Sequence, residues 1–234
     1  MPTPKQIETK LGRILLQVQK PGRYVGGEYN VSAKPWDSVA LRAALVFPDI
    51  YDIGVSNVGL KILYDGINQR ADALAERAYA PWSDMERRMR ENGIPLYSLE
   101  SKHALSDFDL IGFSLPYETL YTNTLNCLDL SGIPLRSGER DDRHPLIIAG
   151  GHATTNPEPM HAFIDAFVIG EGEEVIHEIL DLMQMARRGQ APRATRSWTL
   201  VEMLPALAIF GLGNMGDGWG VALKGAALSR WPHP

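Results

Sequence analysis

The chain has 234 residues, 44% of them hydrophobic and 22% charged, the balance of a soluble globular protein able to bury a real core. A net charge of -5 with no dense Lys/Arg block excludes a global attraction to nucleic acid or to an anionic membrane. Cys127 is the single cysteine, so the chain forms no internal disulfide and supplies no iron-sulfur cluster or cysteine-rich zinc site by itself.

The N-terminal MPTPKQIETK lacks the apolar core of a secretory signal, and no run approaches the ~18 apolar residues of a membrane span, so the expected compartment is the cytoplasm. Residues 1–40 read as an irregular leader with one short helix around Ile7 to Val18, followed by the glycine- and proline-marked turns of PGRYVGGEYN. Arg42 to Phe47 is the first buried-strand candidate. Pro48 closes it ahead of the loop DIYDIGVSN and a helix with Leu60, Ile62, Leu63 and Ile67 on its apolar stripe.

Glu76 to Ala80 (ERAYA) is a weaker strand. Ser83 is positioned as an N-cap with Glu86 as its capping-box partner, and Asn92-Gly93 ends that helix. Residues 94–107 read as a connection. Asp109 to Leu115 (DLIGFSL) is again apolar throughout, and a helix over Thr119 to Leu130 buries Leu120, Leu125 and Leu128. Cys127 lies on that apolar side, as an inert thiol. Leu146 to Ala149 and Ala166 to Ile169 are two further apolar runs without polar alternation, the pattern of parallel strands covered on both faces. The first runs into Gly150-Gly151. The second runs into Gly170-Glu171-Gly172-Glu173 and a helix carrying Val175, Ile176, Ile179, Leu180, Leu182 and Met183.

Strands alternating with helices up to about Arg188 predict an α/β fold over residues 41–188, an open, doubly wound, flavodoxin-like parallel sheet of about five strands. From Ala191 the character changes. The last 44 residues hold six of the 22 glycines and three of the five tryptophans, so residues 189–234 are expected to be a poorly ordered tail outside the domain. Its Gly211-x-Gly213-x-x-Gly216 lacks the strand and acid that a dinucleotide fingerprint needs downstream, and is read as coincidence.

In such a sheet the loops beyond the strand C-termini form the ligand crevice. Asp49, Tyr51 and Gly54 (D-x-Y-x-x-G), Ser114, Gly150, Gly151 and His152 fall on that rim, with Gly170, Glu171, Gly172 and Glu173 shaping its edge. The carboxylates of Glu171, Glu173 and Glu174 speak against a phosphate at the last helix and for complementing its dipole. His152 and His161 flank TTNPEP without a convincing third ligand, so no metal site is assigned. The chain shows no Ser-His-acid pattern, and no catalytic residue is assigned.

The segments RYVGGEYN, FPDIYDIGVSNVGLKIL, APWSDMERRMRENGIPLYSLES, DFDLIGFSLPYETLYTNTLNCLDLSGIPLRS and PLIIAGGHATTNPEPMHAFIDAFVIGEGEE resemble the N-terminal domain of a group of radical S-adenosylmethionine (SAM) proteins, over roughly residues 20 to 188. The resemblance implies a cobalamin-binding-like, Rossmann-like domain ahead of a radical SAM barrel. The barrel's C-x3-C-x2-C motif would hold a [4Fe-4S] cluster that cleaves S-adenosylmethionine. This chain departs from the pattern twice. Tyr51 stands where the D-x-H-x-x-G loop of cobalamin folds has its cobalt-ligating histidine. A phenol with an ordinary pKa of ~10 is a poor replacement for imidazole, so histidine-ligated cobalamin is not expected. The barrel's cysteines are also missing, which suggests a truncated product that is not catalytic alone. Two readings remain open. One is an accessory module binding cobalamin, without a lower histidine ligand, or substrate beside the barrel. The other is a docking element with an empty crevice, filled by side chains such as Tyr51, Tyr117 or His152.

Overall fold

A computed structural model describes residues 1–29, 31–32, 34–188 and 220–223. Five parallel strands, β1 (Leu41–Phe47), β2 (Ala73–Tyr79), β3 (Leu110–Ser114), β4 (Leu146–Gly150) and β5 (Ala166–Ile169), pair in the order β2-β1-β3-β4-β5. All of β2 and five consecutive residues of β1 are buried, as strands covered on both faces require. The chain moves outward from β1 to β2 and then crosses to β3 on the other side. The order therefore reverses between β1 and β3, and the crevice of a flavodoxin-like sheet lies there, beyond the strand C-termini.

The helices are α1 (Pro4–Ile14), the single turn α2 (Tyr51–Gly54), α3 (Val58–Gln69), α4 (Ser83–Asn92), α5 (Tyr121–Leu130) and α6 (Val175–Arg187). α3 and α6 pack together on one face, where Arg70 just beyond α3 meets Asp181 at 2.5 Å. On the other face Arg90 of α4 bonds Asp129 (2.7 Å) and Asn126 (2.8 Å) of α5. Lys10 of α1 reaches the Asn92 carbonyl at the end of α4 (2.8 Å). Ile7, Leu11 and Ile14, spaced for one helical face, are buried in the common core, so residues 1–14 are part of the packed structure. Each such side chain is worth about 1.5–3 kcal/mol.

Several local expectations are corrected. Ser83 is not an N-cap: it is already helical, and the extended Trp82 precedes it, its carbonyl accepting the Glu86 N–H. Gly93 does end α4 in the left-handed conformation, at φ 57°. No α-helix joins β4 to β5. Pro157 and Pro159 interrupt the segment, which forms two 3₁₀ turns at His152–Thr155 and Glu158–Met160. A sixth strand, β6 (Gly220–Leu223), pairs antiparallel with β5, so part of the tail joins the sheet. The Gly211–Gly216 motif lies outside the described residues.

The outer edge of β2 is closed by side chains and by the 94–107 connection. Asn68 bonds both backbone groups of Ala75 (3.0 and 3.1 Å), Glu100 accepts the Arg77 N–H (2.8 Å), and the Leu99 N–H donates to the Arg77 carbonyl (2.8 Å). An edge that would otherwise template pairing with another chain is thereby satisfied within the domain.

Candidate functional site

On the β1–β2 half of the rim, Asp49 follows Phe47 and Pro48. Its carboxylate accepts the Ile50 N–H (2.7 Å) and its carbonyl accepts the Ala80 N–H (3.0 Å), which ties the exits of β1 and β2 together. Tyr51 packs edge-on against Tyr79, centroids 5.3 Å apart at 78°. Burial, reinforced by the neighbouring Glu28 carboxylate, pushes its phenol up to about 12. Gly54 sits against the same ring: a Cβ there would lie 2.6 Å from Tyr79 Cδ1 and 2.9 Å from Phe47 Cδ1. The D-x-Y-x-x-G loop is thus spent on packing over β1 and β2. Tyr51 is turned into the protein and held protonated, so this loop does not fit a cobalt ligand.

On the other half, Ser114 pairs in register with Gly150 at the ends of β3 and β4. Ser114 is half-buried, and its hydroxyl makes no hydrogen bond among the described residues. Gly151 has φ 112°, and a Cβ there would meet the Leu115 carbonyl oxygen at 2.7 Å. That oxygen accepts the Ala153 N–H (2.9 Å), while the Leu115 N–H donates to the Gly150 carbonyl (2.7 Å). Thr154 donates its hydroxyl to the carbonyls of Gly151 (2.7 Å) and Val168 (3.0 Å), lacing the loop after β4 to β5. His152 is exposed above this lacing.

At the β5 end Gly170 has φ 111°. A Cβ on Gly172 would touch Leu63 of α3 at 3.4 Å, so that turn packs closely on the neighbouring helix. Glu171, Glu173 and Glu174 are exposed at the start of α6. There the Glu174 side chain makes no capping bond, so these carboxylates meet the helix dipole through solvent. The rim therefore gathers every candidate residue along the strand C-termini but divides them: Asp49, Tyr51 and Gly54 on one side of the switch point, and Ser114, Gly150, Gly151, His152 and Gly170–Glu173 on the other.

Sequence reasoning missed a buried charge network beside the first half. Arg77 is 6% exposed. It bonds Glu100 through Nε (2.8 Å) and Glu28 through Nη1 (2.7 Å), with its guanidinium over the Tyr64 ring. Next to it, Ser101 donates to the buried Glu76 (2.5 Å). The signal was present in ERAYA, where two charged residues stand inside a strand that is buried along its whole length. Residues 20–28 cross in front of this network as a strap. Lys20 and Arg23 pair with Asp52, whose carboxyl they hold down at about 2, and the Tyr24 hydroxyl accepts the Trp82 N–H (3.2 Å). Beneath the strap is a cavity of about 10 Å³ bordered by Tyr24, Tyr51, Tyr79 and Tyr97, room for about one water.

Cys127 is fully buried on α5, and burial pushes its thiol up to about 12. In the folded protein it should stay unreactive toward a disulfide reagent at pH 8 and titrate as one thiol only in denaturant; rapid labelling of native protein contradicts the packing.

The reversed strand order and the laced C-terminal loops define a flavodoxin-like α/β domain. Within that class, the chain belongs to the family of radical SAM proteins, N-terminal, whose model matches residues 59–206. The match includes Ser114, Gly150, Gly151, His152 and Gly170–Glu173 and begins after Asp49, Tyr51 and Gly54. It also continues beyond residue 188, so the family's pattern extends into the segment expected to be foreign to it. No curated protein and no solved structure matches the chain. An N-terminal domain of this family implies a radical SAM barrel as its partner domain, and SAM and an iron-sulfur cluster belong to the full-length proteins. Among the described residues no group of three or more His, Cys, Asp or Glu has metal-site geometry, and no helix is long and apolar enough to cross a membrane.

Proposed function

We propose that this domain is the docking module of a radical SAM protein, meeting the barrel through the C-terminal rim of its sheet and holding no cobalamin through a lower ligand. The observation that carries this reading is the distribution of exposed apolar side chains. Of the ten large apolar side chains exposed among the described residues, four follow strand ends on this rim, Ile53 and Val58 after β1, Trp82 after β2 and Tyr117 after β3, and Val25 lies on the strap, with Val58 66% and Trp82 47% exposed; the other five are Met1, Leu16, Tyr29, Ile62 and Met185. Exposed large apolar side chains that recur after successive strands along one rim fit an interaction surface. The exposed carboxylates of Glu171, Glu173 and Glu174 extend that edge and suit a basic margin on the partner. Tyr51 and Gly54, where the resemblance would place a corrin, are engaged in packing instead.

A second reading, an accessory site for substrate or for a corrin without a protein ligand, is favoured by the Ser114 hydroxyl, which makes no hydrogen bond among the described residues, and by Gly150. A Cβ at Gly150 would meet only Val168, at 3.7 Å. Two experiments decide between them. Hydrogen exchange of the chain with a family barrel domain added in trans should protect the amides around 53–58, 82 and 115–118, and hydroxocobalamin should give no saturable absorbance change. Micromolar cobalamin binding with an unprotected rim would overturn the docking reading in favour of the second.

A further inference from the structure

The connection between α4 and β3 carries a hydrogen-bonded chain that docking does not use. Glu76 of β2 is 3% exposed, and its Oε2 accepts the Ser101 hydroxyl at 2.5 Å. An ionised carboxylate only accepts, so the single Ser101 proton is directed at Glu76. The hydroxyl oxygen lies 2.7 Å from His103 Nδ1 and is left to accept from it, which places the ring proton of a neutral His103 on Nδ1. Nε2 makes no hydrogen bond among the described residues. The order is not that of a Ser-His-acid hydrolase, in which the serine donates to the histidine. Here the serine links a buried charge to an imidazole.

That imidazole lies flat on the Trp36 ring, centroids 3.5 Å apart at 6°, and Phe108 meets the same indole edge-on at 4.9 Å and 89°. The Arg42 guanidinium also stands over Trp36, 5.0 Å from the ring centroid, and Arg42 Nε donates to the Trp36 carbonyl (3.1 Å). Trp36 opens the 3₁₀ turn Trp36–Ser38. Together with Lys34, which donates to the Ala73 carbonyl (2.9 Å), it ties the leader to the N-terminal ends of β1 and β2, opposite the docking rim.

A second proton, on Nε2, would place an imidazolium on a ring that already faces the Arg42 cation. Glu76, Asp107 and Asp37 favour that charge, while burial and Arg42 oppose it. Asp109 offsets part of Arg42, accepting its backbone N–H (2.8 Å) and pairing also with Arg187. Burial is the largest influence, and it holds His103 below its ordinary value of about 6.5.

We infer that Glu76, Ser101 and His103 form a proton-sensing latch at the base of the sheet: neutral His103, protonated on Nδ1, holds Trp36, and a proton on Nε2 favours the state in which Trp36 has left the stack. The coupling is a matter of linkage. A proton bound more weakly in the packed state than in the open one shifts the equilibrium toward the open one by the same factor. The latch is therefore held above the ordinary histidine range and loosens as pH falls through it. It lies away from the docking rim, and its failure would leave the docking reading intact.

The test uses the whole chain with ¹⁵N-labelled histidine, the His103 signals being those lost in a His103→Gln variant. At pH 7.5 the His103 ring should carry its proton on Nδ1, and it should titrate below about 6.5. The Ser38 and Ala40 amides, bonded to the Pro35 and Asp72 carbonyls, report local opening. Their exchange, divided by the intrinsic rate at each pH, should rise by about two-fold or more between pH 7.5 and pH 5.5 while the amides of α5 stay unchanged. His103→Gln, whose amide can still donate to Ser101 but takes up no proton, should abolish that rise. A neutral ring protonated on Nε2, a titration at or above the ordinary value, or a rise that is absent or persists in the variant would each overturn the latch. The first two readings come from the unmodified protein and decide the matter even if the variant does not fold.

Discussion

Replacing Arg77 with methionine should destabilise the domain by about 3–5 kcal/mol, the cost of stranding buried charges by removing their partner. Arg77 is the cation to which Glu28 and Glu100 are both paired, and Glu76, 3% exposed, lies in the same network. Burial pushes the Glu100 carboxyl above its ordinary value, and the Arg77 charge is the largest influence opposing that shift. Without the arginine the carboxyl should rise further. A folded state that holds its proton more tightly than the unfolded chain loses stability as pH rises above the unfolded carboxyl's ordinary range. The Arg77→Met protein should therefore be more stable at pH 5 than at pH 8. Adding Glu100→Gln should recover a substantial part of the loss at pH 8 by removing the stranded charge. Urea midpoints at the two pH values measure this. An equal midpoint at pH 5 and pH 8 in the single variant would show that Glu100 is not held by Arg77.

The sheet was legible because its strands are buried on both faces. Ala166–Ile169 stands where its apolar run ends, and Leu146–Gly150 and Leu110–Ser114 differ from their runs by a residue or so at each end. The positions of the site residues were legible for the same reason, since a loop that follows a parallel strand must emerge on the C-terminal rim. What escaped was everything decided by contacts distant in sequence. Ser83 has the composition of a cap, but where the helix begins is set by Trp82 and its extended backbone. The β4–β5 connection keeps the length of a crossover while its prolines forbid the helix. Residues 1–40 look irregular one at a time, yet Ile7 packs in the core and Glu28 reaches Arg77 nearly fifty residues away. The glycines of the rim were read as room for a ligand. For Gly54 the room is taken by the Tyr79 ring, and no local pattern in the sequence connects those two positions.

Gly151→Ala should lower stability by about 2–5 kcal/mol with no ligand present, through two separate costs. At φ 112° and ψ 175° its backbone lies in a region open essentially to glycine alone. The added Cβ would lie 2.7 Å from the Leu115 carbonyl oxygen. That oxygen cannot retreat cheaply, because it accepts the Ala153 N–H while the Leu115 N–H is held by Gly150. Relief would have to come from parting the loops after β3 and β4, the two that carry Ser114 and His152 to the rim. Gly150→Ala is the internal control. A Cβ there stands 3.7 Å from Val168 Cβ, an ordinary contact, and Gly150 is the last residue of a strand whose backbone any residue adopts. Its urea midpoint should match the parent within about 1 kcal/mol. The pair therefore separates two reasons for a double glycine at one strand end. If both variants kept parental stability, the lacing between the β3 and β4 loops would not be what requires glycine at 151, and close approach of a ligand would become the better explanation. If only Gly151→Ala loses stability, the requirement is internal. Gly150→Ala is then the substitution with which to probe the open half of the rim, since it narrows the crevice beside Ser114 without disturbing the loops that form it.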